Sequence, residues 1–231
     1  MELDTDNKIK SKPSNWVFDE QVAVNFDEHI RKSVPCYTQV QTLAEKLSDW
    51  FTYPNCNVLD FGASTGETLN RIKNRHSKAL NLIGFDNSPA MIEQAKLKKI
   101  NVEFADFEKP FEIPTHSYAV CLFTLQFLRP NSRRELLKQI WRKLEYYGAV
   151  FVVEKILGAT SLTQDIFQQL YWESKAVNGF SWEQIFNKSK SLRGCMYPKT
   201  IEENECEFHE VGFNHEIVFR DSQFCGWLLT K

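Results

Sequence analysis

A turn of small residues between an apolar strand and a helix constrains the fold of this chain more than any other feature. Residues 58–66 begin as a short apolar strand, continue through Gly, Ala, Ser and Thr, and enter a helical pattern at Glu67. Small side chains let the backbone of such a turn approach a ligand closely. A second apolar strand ends at Asp86, at an offset from the turn that suits a carboxylate binding ribose hydroxyls at the carboxyl edge of a parallel sheet. The pattern predicts an adenosine-containing ligand.

Predicted strands and helices alternate along the middle of the chain. The candidate strands are 57–61, 81–85, 102–105, 119–123 and 149–153, and the candidate helices between them are 67–75, 88–98 and 132–144. Apolar strands separated by helices are typical of a doubly wound parallel sheet. The chain ends with a helix near 201–211 and two strands, 215–220 and 224–229. We therefore predict an α/β, Rossmann-like fold of the class I methyltransferase type, with a seven-stranded, mostly parallel sheet.

The segments outside this alternation are predicted to differ from one another. Residues 1–14 are polar and charged, and we predict a disordered tail. Apolar residues at three-to-four spacing predict N-terminal helices between Trp16 and Trp50. An aromatic segment at about 160–195 predicts a helical insertion that serves as a lid. Residues 15–231 are accordingly predicted to form one domain.

Composition excludes several classes of protein. The formal net charge of −2 argues against a broadly basic surface for direct nucleic-acid binding. No segment approaches the roughly 20 apolar residues of a membrane span, and no apolar leader is visible at the start of the chain. The six cysteines are scattered, and no Cys and His spacing matches a common metal site. We expect a cytoplasmic protein with reduced thiols, no bound metal and no membrane partner.

Three acidic residues at predicted strand ends narrow the identity of the ligand. Asp60, just before the turn, suits the cationic amino group of an amino acid and would repel a pyrophosphate. Asp86 suits ribose hydroxyls. Asp106 closes the third strand, where its carboxylate and the N–H of Phe107 suit the edge of an adenine ring. Adenosine joined to a cationic amino acid is S-adenosylmethionine (SAM).

Other interpretations of the same residues stay open at this point. The turn from Gly62 to Gly66 matches the Gly-x-Ser-x-Gly elbow of hydrolases, although no clustered glycines suitable for an oxyanion hole precede Ser64. A dinucleotide site would need a second glycine where Ser64 stands. Each strand-end acid also has an ordinary structural alternative, as a helix cap or a loop carboxylate.

Several short strings suggest a more specific relationship. They are Trp-Val-Phe-Asp-Glu from Trp16, Arg-Lys-Ser-Val-Pro-Cys-Tyr from Arg31, Asp-Asn-Ser-Pro-Ala-Met-Ile-Glu from Asp86, Phe-Thr-Leu-Gln-Phe-Leu from Phe123, Glu-Lys from Glu154 and Asn-Gly-Phe-Ser from Asn178. With them the chain resembles the carboxy-S-adenosylmethionine (carboxy-SAM) synthases, a branch of the class I methyltransferase superfamily that serves tRNA wobble-uridine modification. The resemblance implies a homodimer and, for the family's reaction, prephenate as the carboxyl donor. The cofactor-binding residues predicted from the resemblance and the strand-end acids together are Tyr37, Asp60, Gly62, Ala63, Ser64, Asp86, Asn87, Asp106 and Phe107.

Two positions depart from the family pattern. Leu122 stands where the family has an asparagine. Alignment back from residues 211–213 places Glu207 at the family's arginine, which pairs with the extra carboxylate of carboxy-SAM. Near 4 Å such an interaction amounts to up to ~4 kcal/mol at an effective dielectric constant of 20, and Glu in place of Arg reverses its sign. The sequence therefore predicts SAM or its demethylated product, S-adenosylhomocysteine (SAH), as the ligand and disfavours carboxy-SAM.

These features predict a SAM-binding enzyme, most simply a methyltransferase of unknown acceptor. Catalysis would come mainly from holding the acceptor in line with the sulfonium methyl group. Carboxy-SAM synthesis from prephenate is the alternative, and a non-catalytic SAM-binding module is the second alternative. Glu154, Gln126 and Tyr171 are expected near the acceptor, and the catalytic residues stay unassigned.

Overall fold

The computed structural model describes residues 2–231, which form nine strands and eight α-helices. The strands are β1 (Leu3–Asp6), β2 (Ile9–Ser11), β3 (Asn57–Phe61), β4 (Asn81–Asp86), β5 (Val102–Phe104), β6 (His116–Leu122), β7 (Leu144–Lys155), β8 (Asn214–Asp221) and β9 (Phe224–Thr230). Seven of them form one sheet in the order β5-β4-β3-β6-β7-β9-β8. Strands β3 to β7 pair in parallel, whereas β9 is antiparallel to both β7 and β8. This sheet confirms the predicted α/β fold.

The helices begin and end where the sequence carries capping residues. They are α1 (Glu20–Ser33), α2 (Tyr37–Phe51), α3 (Glu67–Arg75), α4 (Pro89–Leu97), α5 (Pro130–Lys143), α6 (Ser161–Val177), α7 (Trp182–Ser191) and α8 (Ile201–Val211). Ser88 caps α4 by accepting a hydrogen bond from the N–H of Met91, and Pro89 occupies the first helical position. Gly212 ends α8 with φ of +112°. No helix within residues 2–231 is long and apolar enough to cross a bilayer.

The core lies on both faces of the large sheet. Val58 and Leu59 are neighbours on β3 and both are fully buried, yet they belong to different clusters because side chains alternate across a strand. Val58 packs in the layer that contains α2, α3 and α4, and Leu59 packs in the layer that contains α5 and α8. Burial on both faces explains why the central strands are almost continuously apolar.

Residues 2–14 are ordered, which corrects the prediction of a disordered tail for that part of residues 1–14; residue 1 lies outside the described residues. Strands β1 and β2 form an antiparallel hairpin that packs against α7. Ile9 is fully buried in a small cluster with α1 and α4, and Nδ2 of Asn187 donates to the carbonyl of Asp4 at 3.0 Å. The two strands of the hairpin are too short to show a hydrophobic periodicity in the sequence. The hairpin is ordered by α7, which is distant in sequence and supplies the surface on which it packs.

The predicted helical insertion consists of α6 and α7, which lie between β7 and α8 in the chain. Both helices begin with a capping box, at Thr160 and Ser181 respectively. Phe180, in the connection between them, is buried, as is Ile185 on α7. The insertion therefore packs on the rest of the protein, and its inner side forms part of the cavity described next.

Candidate cofactor and substrate pocket

A cavity of about 620 Å³ opens at the carboxyl ends of β3, β4 and β6. Its walls also include residues of α1, α2, α6 and α7. The carboxyl edge of a parallel sheet is where α/β proteins of this kind bind their ligands. All of the residues predicted to bind the cofactor line it, namely Tyr37, Asp60, Gly62, Ala63, Ser64, Asp86, Asn87, Asp106 and Phe107. The structure brings these residues together, and their contact with a cofactor stays a prediction.

The turn after β3 is fixed by its backbone and has no room for a side chain at its start. Gly62 has φ of +82°, and a Cβ atom there would lie 2.2 Å from Oγ1 of Thr124. The N–H groups of Gly62 and Ala63 both donate to the carbonyl of Phe85, at 2.8 and 3.0 Å. Ser64 also has a positive φ, of 52°. The turn is thus tied to β4 and presents mostly backbone to the cavity.

Asp86 ends β4 with its carboxylate fixed between two backbone donors. Oδ2 accepts from the N–H of Ser64 at 2.8 Å, and Oδ1 accepts from the N–H of Ser88 at 2.9 Å. Burial raises the pKa of Asp86, and the backbone donors, including the N–H of Asn87, oppose that increase. Each carboxylate oxygen retains a further lone pair, so the group can accept hydrogen bonds from a ribose while staying in place.

Replacing Asp86 by Asn is expected to weaken SAM binding roughly tenfold, because hydrogen bonds to a charged group contribute about 1.5–3 kcal/mol each. Titration calorimetry with SAM measures the change. Glu103→Gln, on the exposed side of β5 and outside the cavity wall, is the control and should bind SAM like the unaltered protein. Equal affinity of the Asp86 variant and the unaltered protein would remove Asp86 from the ligand site.

Asp60 is a buried acid with an unused acceptor. Its side chain is 2% exposed, and within residues 2–231 its Oδ2 atom has no hydrogen-bond partner. Burial raises the pKa of Asp60 to about 8, the charge of Asp86 adds to the increase, and a hydrogen bond from Thr68 opposes it. A cation brought next to this carboxyl group would favour its ionised form. Asp60 therefore fits the predicted contact with the amino group of SAM.

SAM binding at pH 7 is expected to release most of one proton from Asp60. The reason is that a carboxyl group with a pKa of about 8 is largely protonated at this pH, and the ligand's positive charge lowers that pKa. Calorimetry in buffers of different ionisation enthalpy measures the number of protons released. An Asp60→Asn variant should lose this release, and an unchanged release in that variant would contradict the assignment.

The predicted adenine side of the cavity is formed just after β5. Nζ of Lys109 lies 2.8 Å from Asp106, and this hydrogen bond lowers the pKa of the Asp106 carboxyl group. The ring of Phe107 packs against Phe61 and Phe111, with centroids 6.2 and 5.4 Å away. Asp106 is thus an ionised acceptor at neutral pH, and Phe107 is held in the wall by an aromatic cluster.

Tyr37 and Phe123 are neighbouring aromatic residues in the cavity wall. Their rings stack with centroids 6.3 Å apart. Phe123 follows β6 with φ of +59°, a conformation that ends the strand and directs the chain into the short 3₁₀ helix Leu125–Phe127. Burial raises the pKa of Tyr37 far above its usual range, so its hydroxyl group stays protonated.

Of the three residues expected near the acceptor, two line the cavity. Gln126 and Tyr171 do so, whereas Glu154 lies behind the wall. The Glu154 carboxylate accepts from the N–H groups of residues 124–126, at 3.2, 3.0 and 2.7 Å. Burial raises the pKa of Glu154 to about 7, against the opposing effects of Arg133 and these backbone donors. Glu154 therefore holds the 3₁₀ helix in place.

Three lysines line the other half of the cavity, and sequence reasoning missed them as site residues. Lys175 and Lys188 are buried, and Lys155 is partly buried at the end of β7. Within residues 2–231 none of them has a carboxylate oxygen within 4 Å. The Lys155 and Lys175 ammonium groups both lie over the ring of Tyr171, 4.9 and 4.2 Å from its centroid, and Lys188 lies over the ring of Trp16.

Burial leaves these lysines poorly stabilised as cations in the free protein. It lowers the pKa of Lys175 to about 7 and that of Lys188 well below its usual range, and it also lowers the pKa of Lys155. The two buried lysines come from adjacent helices of the insertion, and only folding brings them next to Lys155. Their spacing along the chain therefore contains no signal that they form one cluster.

Glu207 does not line the cavity, which differs from the position expected from its alignment with the family's arginine. It lies on α8, buried, with Oε2 2.7 Å from Nε of Arg133 and 2.9 Å from Nζ of Lys199. The cavity wall includes Leu122, the other departing position, but not Glu207. The position of Glu207 in this chain therefore gives no support to the electrostatic argument against a carboxylated cofactor, because the acid is paired with Arg133 and Lys199.

Solved structures resemble this fold over most of its length. The plantazolicin methyltransferase BpumL in complex with SAH has a TM-score of 0.63 at 15% identity, covering 91% of this chain and 89% of that one. Human N-acetylserotonin methyltransferase in complex with SAM has a TM-score of 0.60 at 16% identity, covering 92% of this chain and 55% of that one. At such low identity the likeness shows the fold alone, and it is the predicted Rossmann-like methyltransferase fold.

Sequence comparisons are more specific. A family model described as a methyltransferase domain matches residues 58–148, the segment that contains the glycine turn and the strand-end acids. A carboxy-S-adenosyl-L-methionine synthase of Staphylococcus epidermidis is 32% identical over 228 residues, covering 95% of this chain and 98% of that protein. One of Methylococcus capsulatus is 32% identical over 224 residues, covering 93% of each. With relatives of this identity along nearly its whole length, the chain belongs to the carboxy-SAM synthase family of SAM-dependent transferases.

Proposed function

We propose that this protein is itself a carboxy-SAM synthase, which exchanges a hydrogen of the SAM methyl group for a carboxyl group. The observation that carries the proposal is the cluster of Lys155, Lys175 and Lys188, which lines the cavity without carboxylate partners. A substrate that donates its carboxyl group would bring a negative charge next to the three lysines and stabilise their cationic forms. Its relatives of the same length have this name, and the family resemblance indicates prephenate, a dicarboxylate, as the donor.

The two halves of the cavity fit two different ligands. Asp60 leaves a buried acceptor unused and the turn that starts at Gly62 presents mostly backbone, so the turn side suits the amino acid and adenosine of SAM. The lysine side suits a carboxylate, since charge-assisted hydrogen bonds are strong where water is scarce. Lys155 and Lys175 share the Tyr171 ring, and a bound carboxylate would relieve the repulsion between their charges.

SAM supplies a sulfonium group that makes its methyl hydrogens acidic. In the net exchange, one C–C bond of the donor breaks and its carboxyl carbon forms a C–C bond to the methyl carbon. The electron pair of the broken bond stays with the donor fragment, and the displaced methyl proton neutralises the charge left there. The task of the lysines is to bind and orient the donor carboxylate against the methyl group, which is the positioning that such a transfer requires.

Incubation of the purified protein with SAM and prephenate, followed by mass spectrometry, tests the proposal. The expected product is SAM whose mass has increased by one carboxyl group in place of one hydrogen. Formation of SAH in the presence of another acceptor, without carboxylated product, would instead support methyl transfer. Failure to bind SAM, carboxy-SAM or SAH in titrations would support a non-catalytic role.

The proposed assembly is a homodimer, in line with the family resemblance. Helix α6 carries exposed apolar residues at helical spacing, namely Leu162, Ile166, Leu170 and Val177. A second copy of this chain would cover that face close to the cavity wall. Light scattering of the purified protein measures the mass in solution, and an Ile166→Glu variant is expected to be monomeric. A monomeric unaltered protein would contradict this part of the proposal.

The proposed cellular role is to supply carboxy-SAM in the cytoplasm for tRNA wobble-uridine modification. The protein would act on small molecules, since its net charge of −2 does not support direct binding to tRNA. Nucleoside analysis of tRNA from cells lacking the protein should show loss of the carboxyl-bearing wobble uridine. Normal modification in such cells would contradict the role.

A further inference from the structure

The N-terminal hairpin places a carboxylate against a buried histidine at the cavity wall. Asp6 ends β1, and its Oδ2 lies 2.6 Å from Nδ1 of His29 on α1. The His29 side chain is buried, and the residue lines the cavity. Because the hairpin packs on α7 through contacts such as that of Asn187 with Asp4, the position of Asp6 depends on the same insertion that contributes Lys188.

One nitrogen of His29 is left without a partner. Its ring stacks on Trp16, with centroids 6.0 Å apart, and meets Phe180 edge-on at 5.6 Å. Within residues 2–231 the buried Nε2 atom makes no hydrogen bond. Since a carboxylate only accepts hydrogen bonds, Nδ1 donates to Asp6, and the neutral ring therefore has its lone pair on Nε2. The neighbours of the ring close Nε2 off from the cavity in this structure, so a donor from a ligand pairs with this acceptor only when the ring or a neighbouring side chain shifts.

The charged groups around His29 favour its neutral form. Burial lowers the pKa of His29, and the nearby Lys188 on α7 and Lys175 on α6 add to that effect, while Asp6 opposes it. The hydrogen bond from His29, with a smaller contribution from Lys32 on α1, lowers the pKa of Asp6 and keeps it ionised. The lysine side of the cavity thus combines amino groups that a bound carboxylate would stabilise as cations with one neutral acceptor.

We propose that His29 positions the second substrate by accepting a hydrogen bond at Nε2 from an O–H or N–H group of that molecule, with Asp6 as the residue that fixes the His29 tautomer. The inference rests on the proposed function for the class of ligand, a carboxylate bound by Lys175 and Lys188. The lysines require a carboxylate on the second substrate, and Nε2 of His29 requires in addition that this substrate carry a hydrogen-bond donor. A carboxylate that lacks such a donor would leave Nε2 unpaired.

Nitrogen-15 NMR of the His29 imidazole in the full-length protein, saturated with SAH, tests the inference without turnover. Before addition of prephenate, Nδ1 should be protonated and Nε2 unprotonated at pH 7, and Asp6→Asn should yield a mixture of tautomers. Prephenate should shift the Nε2 resonance in the direction of an accepted hydrogen bond.

The outcomes separate this inference from the proposed function. Prephenate that binds without changing Nε2 would overturn the inference alone. A response at Nε2 in a protein that forms no carboxy-SAM would overturn the proposed function alone. Failure of prephenate to bind would overturn both.

A variant pair adds a kinetic test. His29→Phe keeps the aromatic packing against Trp16 and Phe180 and removes Nε2. It should raise KM for prephenate about tenfold, leave the SAM affinity within about twofold, and remove the loss of activity at acidic pH that protonation of His29 causes. The control is His116→Phe, because His116 on β6 is also buried with an unpartnered Nε2 but lies outside the cavity wall. An unchanged KM and pH profile in His29→Phe would overturn the inference.

Discussion

Replacing Lys188 by Met is expected to lower kcat/KM for carboxyl transfer by about 100-fold, because a charge-assisted hydrogen bond in a sheltered cavity contributes up to roughly 3 kcal/mol to binding. The same change should increase the free energy of unfolding. In the free protein the Lys188 ammonium group is buried over Trp16 without a carboxylate, and Met has a similar length without the charge. Opposite changes in activity and stability are characteristic of a residue retained for its ligand.

The gain in stability should depend on pH with a defined sign. Burial lowers the pKa of Lys188 in the folded state, so the unfolded chain binds more protons over the range between the lowered and the ordinary pKa of lysine. The contribution of Lys188 to the free energy of unfolding of the unaltered protein therefore rises with pH across that range. The difference between the Lys188 variant and the unaltered protein should disappear as the pH approaches about 10.4, the ordinary pKa of lysine, and grow as the pH falls toward the lowered pKa of Lys188.

Denaturant unfolding at several pH values and steady-state assays with SAM and prephenate measure both effects. Lys190→Met is the matched control, because Lys190 lies on the same helix with its ammonium group over the ring of Phe186 and does not line the cavity. It should leave kcat/KM unchanged. A Lys188 variant that kept its activity would remove the lysine cluster as the basis of the proposed function.

Local sequence patterns predicted the parts of the fold that have local causes. The turn at Gly62 and the start of α4 at Ser88 depend on residue types within a few positions, and both lie within the predicted segments. The parallel pairing of the central strands also follows from the alternation of buried strands and helices. Strand ends were less accurate, since β7 begins at Leu144 instead of residue 149 and β6 begins at His116 instead of residue 119.

The features that were missed or wrongly placed depend on contacts between distant segments. The hairpin at Ile9 is ordered by α7, and Lys175 and Lys188 meet Lys155 only after the insertion folds back over the sheet. Glu207 was placed by counting back from residues 211–213, which identified its helix but not the partner that helix faces. The sequence alone does not show whether a charged residue is paired with a ligand or with another side chain.

The Glu207→Ala variant is expected to lower the free energy of unfolding by about 3–5 kcal/mol, the usual cost of removing one member of a buried ion pair. Arg133 is 1% exposed, and without Glu207 the one side-chain acceptor left to its guanidinium group within residues 2–231 would be the amide oxygen of Asn204. Urea unfolding followed by fluorescence measures the loss. Lys199 also contacts Glu207, but its side chain is 24% exposed and can be solvated by water.

A second ion pair between the same two helices is a matched control. Arg134 and Glu210 join α5 to α8 at 2.6 Å, but both side chains are about half exposed. Glu210→Ala should therefore cost less than about 1 kcal/mol. If the double variant Arg133→Met with Glu207→Met recovers most of the stability lost in Glu207→Ala, the unpaired guanidinium is the cause of that loss.

Ligand affinity separates this structural role of Glu207 from the role that alignment had predicted for it. Glu207→Gln removes the negative charge while keeping the shape of the side chain. If Glu207 faced the cofactor, this change would relieve repulsion and tighten carboxy-SAM binding relative to SAM. Because Glu207 lies outside the cavity wall and is neutralised by Arg133 and Lys199, the ratio of the two affinities should stay the same while stability falls. A tighter carboxy-SAM complex in Glu207→Gln would show that the acid acts on the cofactor and would again favour plain methyl transfer.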